Sequence, residues 1–272
     1  MKHWTLDDIP WDRFDPSLVD PELLRIIKAA SLVEFNGGDY AAYLCNVFDD
    51  DDSFQGAARS WAVEEVQHGT VLARWAALAD PSFDFDKSFA RFKEGFSIPV
   101  SATHSIRGSR AGELVARCIV ETGTSSYYTA LMEAAKEPVL REICRNIAAD
   151  ELRHYKLFYS HLRRYVESEK IGRLRRVLVA LSRITESEDD ELAYAYYSAN
   201  GDASIPYDRR HWANHYARRA YGFYQRHHIE RAIAMVLKAA GLSPQGWLNH
   251  GLTSAAAWFM GWRVQRLSRA GF

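Results

Sequence analysis

Cysteine is scarce in this chain. Cys45, Cys118 and Cys144 are the three among 272 residues, widely spaced and odd in number. That excludes a disulfide framework and points to a reducing, cytoplasmic setting. No CxxC pair occurs, which excludes a zinc ribbon or a rubredoxin-type iron site. Proline and glycine number 8 and 16, too few for a linker-dominated protein. Charge nearly cancels, and a formal net charge of −1 leaves no general excess with which to hold nucleic acid. No apolar run approaches the ~18 residues of a membrane span. The opening MKHWTLDDIPWDRFDP has neither the basic start nor the apolar stretch of a secretory signal, so none is expected. Strand-like alternation is missing apart from a short ambiguous stretch at Phe83–Phe85. No flavin or dinucleotide fingerprint is present, so electrons for any redox step would have to come from a separate donor.

What is present is helix, almost throughout. Asp20 and Pro21 form an N-cap and first helical position for a segment that runs to about Phe48. The Asp49–Asp52 run breaks it. A second helix spans about Ser53 to Asp80, and residues 81–108 form a connection with one short helix. A third runs from about Ser109 to Lys136, and Pro138 opens a fourth that reaches about Glu167. Ile171–Asn200 and Tyr207–Ala240 read as two further helices, with Gly241 closing the second, and a short helix is expected around Thr253–Leu267. The expectation is one all-α domain over 1–272, with a bundle at about 21–168 and appended helices at about 170–272.

Two Glu-x-x-His units stand out, Glu65–His68 and Glu151–His154. At i and i+3 in a helix, a carboxylate and an imidazole share one face. Either unit alone is weak evidence, but each has a glutamate on the preceding helix, Glu34 and Glu121. Residues equidistant from a turn sit level in an antiparallel hairpin. The midpoint of Glu34 and Glu65 falls at 49.5, inside the aspartate run, and that of Glu121 and Glu151 at 136, beside Pro138. Breaker residues placed the turns independently of the ligands. Stacking the hairpins brings four glutamates and two histidines together, among apolar neighbours such as Leu32, Ala62, Ile119 and Ile147. Cations would neutralise carboxylates in such a core. Four carboxylate charges balance two divalent ions, and oxygen and nitrogen donors without thiolate suit iron or manganese.

On these residues the chain resembles the soluble ferritin-like di-iron proteins and is most similar to the acyl-[acyl-carrier-protein] desaturases. Those carry a second-helix pattern W-x-A-E-E-N-R-H-G; residues 61–69 here read W-A-V-E-E-V-Q-H-G. Their fourth-helix pattern A-D-E-K-R-H is matched by Ala149-Asp150-Glu151-Leu152-Arg153-His154 at all but one position. Their third-helix Glu is followed three residues later by a Thr in the oxygen pocket, as Glu121 is by Thr124. The resemblance implies a ferritin-like four-helix bundle with two irons, or alternatively manganese or a mixed Mn/Fe pair. It implies Glu34, Glu65, His68, Glu121, Glu151 and His154 as ligands, with Glu65 and Glu151 bridging. Asp150 would accept a hydrogen bond from a ligand histidine, and Thr124 would take part in catalysis. The activity implied is an O2-dependent oxidation of a small-molecule or carrier-bound acyl substrate, by desaturation or hydroxylation. The alternative is a ferroxidase, peroxidase or manganese-catalase-like protein, which needs no organic pocket.

Other features are weaker. Cys118 and Cys144 read as buried packing residues. Gly123, in mid-helix, either opens space beside the metals or marks a close crossing. His211, His215, His227 and His228 read as a solvated face. Trp258–Trp262 suits either a channel cap or a homodimer contact. Residues 160–272 hold 17 basic and 10 acidic side chains, a balance of +7 against −8 for the rest. That basic half either docks an acidic protein or neutralises the acidic half of the same chain.

Overall fold

The computed structural model describes residues 3–186, 190–202 and 204–272. Three 3-10 turns over residues 6–18 lead into α1 (Pro21–Phe35), α2 (Gly37–Val47), α3 (Asp52–Ala79), α4 (Phe85–Gly95), α5 (Arg110–Ala134) and α6 (Pro138–Glu169). Then come α7 (Arg173–Glu186), α8 (Asp190–Asn200), α9 (Arg209–Gly222), α10 (Arg226–Ala239) and α11 (Trp247–Arg269). Among the described residues there is no strand, and no helix is long and apolar enough to cross a membrane. Phe83–Phe85 is a turn into α4, capped by the Asp84 carboxylate accepting from Lys87 N.

Local chemistry fixes the bundle's ends. The Asp20 carboxylate accepts from Glu22 N and Leu23 N, with Pro21 at the first helical position. Asp51 caps α3 through Phe54 N, and Ser109 caps α5 through Gly112 N. Glu137 caps α6 through Val139 N and Leu140 N, and its buried carboxylate also accepts from Trp75 Nε1 at 2.8 Å.

The four bundle rods are α1 with α2, α3, α5 and α6. α1 and α2 pack on α3, α5 packs on α6, and α3 meets α6 across the middle. The apolar residues divide into two cores. One holds Leu23, Ile27, Leu72, Trp75, Leu131 and Ile143; the other holds Leu44, Phe54, Trp61, Leu114, Phe158 and Leu162. In each rod the chain passes from one core to the other through a short interval, and Glu34, Glu65, Glu121 and Glu151 lie in those intervals. The bundle is therefore two apolar cores separated by one polar layer.

The long first helix expected over Pro21–Phe48 is interrupted at Asn36 (φ −78°, ψ 4°). The cause lies across the interface. A Cβ on Gly37 would stand 2.4 Å from Glu65 Cβ, and one on Gly69 would stand 2.5 Å from Phe35 N. The junction of α1 and α2 and the middle of α3 thus touch almost backbone to backbone, just beyond Glu34. Gly123 differs, for a Cβ there meets nothing within 4 Å.

The appended helices also depart from expectation. Tyr207–Ala240 is two helices, because Gln225 N donates to His228 Nδ1 and starts α10 afresh. His228 is therefore buried, 2 % exposed, rather than part of a solvated face. Ile171–Asn200 comprises α7 and α8, and the intervening 187–189 lie outside the described residues. The last helix, Trp247–Arg269, is longer than expected. Its Trp258, Phe259 and Trp262 are all exposed. α8 covers α1, while α7 and α10 cover α5. Arg218 and Arg219 pair with Glu22, and Arg164 with Asp51, so part of the basic half neutralises the acidic half.

The glycine contacts yield a contrast. Gly69→Ala should destabilise the protein by roughly 1–3 kcal/mol, the usual cost of overpacking a close-packed site. Gly123→Ala should be neutral or stabilise by up to about 1 kcal/mol. Urea unfolding of both variants checks this, and equal midpoints would refute the close approach.

Candidate metal centre

The polar layer gathers all six residues expected from the sequence. Ligand atoms of Glu34, Glu65, His68 and Glu151 lie within 4.8 Å of one another, as do those of Glu65, Glu121, Glu151 and His154. Glu65 and Glu151 belong to both groups. All six side chains are buried. His68 Nδ1 stands 3.2 Å from Glu151 Oε1 and 3.8 Å from Glu34 Oε2. His154 Nδ1 stands 3.0 Å from Glu65 Oε1 and 3.6 Å from Glu121 Oε2.

Outside this layer a ring of polar groups turns the imidazoles. His68 Nε2 lies 3.1 Å from Asp150 Oδ2, and His154 Nε2 lies 2.8 Å from Glu64 Oε2. Each Nε2–H donates outward, which leaves each Nδ1 lone pair aimed inward. Arg153 joins the two carboxylates, donating to Asp150 and, at 3.1 Å, to Glu64. Trp4 Nε1 donates to Asp150 Oδ2 at 2.7 Å, and its ring stacks parallel to His68. The arrangement is crosswise: the residue preceding each Glu-x-x-His unit serves the histidine of the other. The sequence reading reached Asp150 and missed Glu64. The doubled pattern Glu64-Glu65/Asp150-Glu151 carried that information.

Thr124 Oγ1 donates to Glu151 Oε2 at 2.6 Å, and the backbone carbonyls one turn back are more distant at 3.3 Å. Tyr128 OH donates to Glu34 Oε1 at 2.6 Å, a contact no sequence spacing announced. Cys118 and Cys144 are buried free thiols outside both ligand groups.

The donors fit cations. Glu65 Oε1, Glu121 Oε1, Glu151 Oε1 and both histidine Nδ1 atoms are buried without a hydrogen-bond partner. Buried polar atoms are rarely left so, and five converging in one layer mark the place of a positive charge. Protons show the same demand. Burial raises Glu65 well above the ordinary carboxylate value, with the Glu151 and Glu34 charges adding to it. Burial and then the Glu151 charge push Glu121 up to about 8. Burial also opposes ionisation of Glu151, but the adjacent His154 and His68 imidazoles, which carry positive charge when protonated, hold it well below the usual range. For both histidines burial lowers the pKa, and the surrounding carboxylates overcome it and raise the pKa well above the ordinary value.

Beside the layer lies a cavity of about 400 Å³. Glu34, Gly123 and Thr124 form its floor, with Val33, Ile119 and Val120 on its walls. Gly123 thus opens space beside the cluster rather than marking a helix crossing.

With this geometry in place, the comparison with known families is specific. The model for the fatty acid desaturase family matches residues 46–184, just over half of the chain. The chain belongs to the fatty acid desaturase family, and is accordingly an oxidoreductase of desaturase type. The matched span includes both Glu-x-x-His units, Glu121 and Thr124, and leaves Glu34 outside. Among curated proteins none matches the chain.

The protonation pattern fixes the sign of a pH effect. In protein stripped of metal, Glu65, Glu121 and both histidines hold protons that the unfolded chain has released. Stability therefore falls as pH rises from about 5 to about 8, where Glu121 titrates. Glu151 acts oppositely, but its contribution is complete above 4.5. Bound cations replace the protons and should flatten the decline. Unfolding midpoints against pH, with and without chelator, test this; parallel curves would count against a cation site.

Proposed function

We propose that the chain is an O2-dependent di-iron oxidoreductase that desaturates or hydroxylates an acyl-type organic substrate. Glu34 and His68 would hold one metal, Glu121 and His154 the other, and Glu65 and Glu151 would bridge. Iron bound there would supply the redox chemistry with O2 that oxidation of a C–H bond requires; manganese or a mixed pair suits the same donors. The layout is that of ferritin-like carboxylate bundles, in which two helices each give a Glu and two each give a Glu-x-x-His.

The cavity is the observation that carries this reading. A ferroxidase, peroxidase or catalase needs no organic pocket, whereas here a cavity of about 400 Å³ ends on Glu34 and Thr124. Its apolar walls beside the layer, among them Val33, Ile119 and Val120, suit the hydrocarbon part of such a substrate. Thr124 Oγ1 donates its proton to Glu151 Oε2, 2.6 Å away, at the boundary between ligand and cavity, where it can pass the proton inward. Asp150 and Glu64 keep both imidazoles in the tautomer that offers Nδ1 to a metal. Tyr128 fixes the rotamer of Glu34 from the other side. Electrons would come from a ferredoxin-like protein.

Iron analysis and O2 uptake test the proposal together. The protein should retain about two irons per chain through gel filtration. Glu151→Ala should lose most of both. Thr124→Val should keep the iron and slow substrate-coupled O2 consumption at least about tenfold. If reduced protein instead releases its iron as ferric oxide after O2 exposure, the ferroxidase alternative holds.

A further inference from the structure

The last helix is built inside out. It packs on α9 and α10, and its buried positions include the polar residues Asn249 and Thr253. Their groups are satisfied locally: Asn249 Nδ2 donates to Pro244 O at 2.7 Å, and Thr253 Oγ1 donates to Asn249 Oδ1 at 2.9 Å. The outward positions carry the large apolar side chains. Trp247 is 84 % exposed, Trp258 70 % and Trp262 42 %, with Leu252 and Phe259 also exposed. At 3.6 residues per turn these five share one face of α11, which runs for roughly 20 Å along the helix. Folded proteins scatter exposed large apolar side chains singly, and a contiguous row of them marks an interaction site.

The charge along this face has one sign. Residues 231–272 hold Arg231, Lys238, Arg263, Arg266 and Arg269 and no aspartate or glutamate. Arg266 and Arg269 are exposed and continue the tryptophan face toward the C-terminal end of the helix. Arg266 also lies over the Trp262 ring, 5.2 Å from its centroid. Glu230 on α10 meets His250 at 3.7 Å, at the opposite end from these arginines.

We propose that α11 docks on an anionic lipid bilayer, lying in the plane of its surface with Trp247, Trp258 and Trp262 among the headgroups and Arg266 and Arg269 on lipid phosphates. The chemistry selects this occupant. An indole ring is apolar with one polar edge and settles at the boundary between acyl chains and water, and a guanidinium pairs with phosphate. A second copy of the chain brings no carboxylate on this helix to meet the arginines. One face of a single helix, roughly 20 Å by 10 Å, also falls well short of the ~800 Å² per partner of a stable dimer. The helix lies on the bilayer and does not cross it, since no described helix is long and apolar enough to do so. Arg263, the residue after Trp262, lines the cavity, so docking holds one wall of the cavity at the lipid surface.

Cosedimentation of the full-length protein with vesicles of phosphatidylcholine, and with vesicles of an equal mixture of phosphatidylcholine and phosphatidylglycerol, tests the proposal. The mixed vesicles should bind the protein at least about tenfold more tightly. Trp258→Ser with Trp262→Ser should weaken that binding at least about tenfold, and Arg266→Gln with Arg269→Gln should erase the preference for the mixed vesicles. All four side chains are exposed, so both double variants should keep an unfolding midpoint close to that of the wild type. Failure to bind either vesicle overturns the proposal, and so does equal binding to both. Binding to the mixed vesicles that survives the tryptophan substitutions puts the contact elsewhere and overturns it too. Sedimentation velocity without lipid is read alongside. A dimer that dissociates on Trp258→Ser with Trp262→Ser would make this face an interface between copies, against the proposal.

Discussion

Four carboxylates enclosed with two imidazoles between two apolar cores demand positive charge, and the rest of the molecule is organised by that demand. Removing a carboxylate from water costs several kcal/mol unless a cation or hydrogen-bond donors replace the water. Here the donors are too few, since five buried ligand atoms lack partners. The apolar layers above and below raise the cost of leaving the cluster unneutralised. They also shield it from the solvent that would weaken its attraction for metal. Stability and metal affinity are thus two readings of one electrostatic imbalance.

Holding that imbalance in place needs close backbones. The α1–α3 contact, made possible by Gly37 and Gly69, lets Glu34 reach the same point as Glu65 and His68. Side chains of ordinary size there would push the rods apart and widen the cluster. The outer ring of Asp150, Arg153 and Glu64 completes the support by fixing ring orientation instead of distance. The cavity is the counterpart of this density, because the space beside Gly123 is a flank of the cluster left without packing. The open space beside the cluster and the spacing of its carboxylates and imidazoles are therefore set by glycines used in opposite ways.

Much of this was legible from the residues in order. Asp20-Pro21, Asp51, Ser109 and Glu137-Pro138 are local signals whose effect does not depend on distant partners, and the helix ends fell where they point. Turn symmetry placed Glu34 opposite Glu65 and Glu121 opposite Glu151 by helical geometry alone. The break at Asn36 was not legible, since it answers a contact with α3 about thirty residues away. Glu64 and Tyr128 were missed for a related reason. Their roles arise where helices meet face to face, and single-helix periodicity does not say which residue lies opposite. His228 resembled its exposed neighbour His227 in sequence; only the start of α10 distinguishes them.

The crosswise support of the histidines makes the two halves of the cluster unequal. Asp150 holds His68 from a shorter side chain and also accepts from Trp4 and Arg153. Glu64 holds His154 from a longer one, is more exposed, and also meets His3. Each carboxylate also accepts from Arg153, so the two differ in burial rather than in number of partners: Asp150 is the more enclosed acceptor and draws the imidazole proton of His68 with less screening by solvent. Two sites with the same ligand types therefore differ in basicity. Ions bound in the two halves would therefore meet unlike histidines before any substrate arrives, and would not need to share one oxidation state equally.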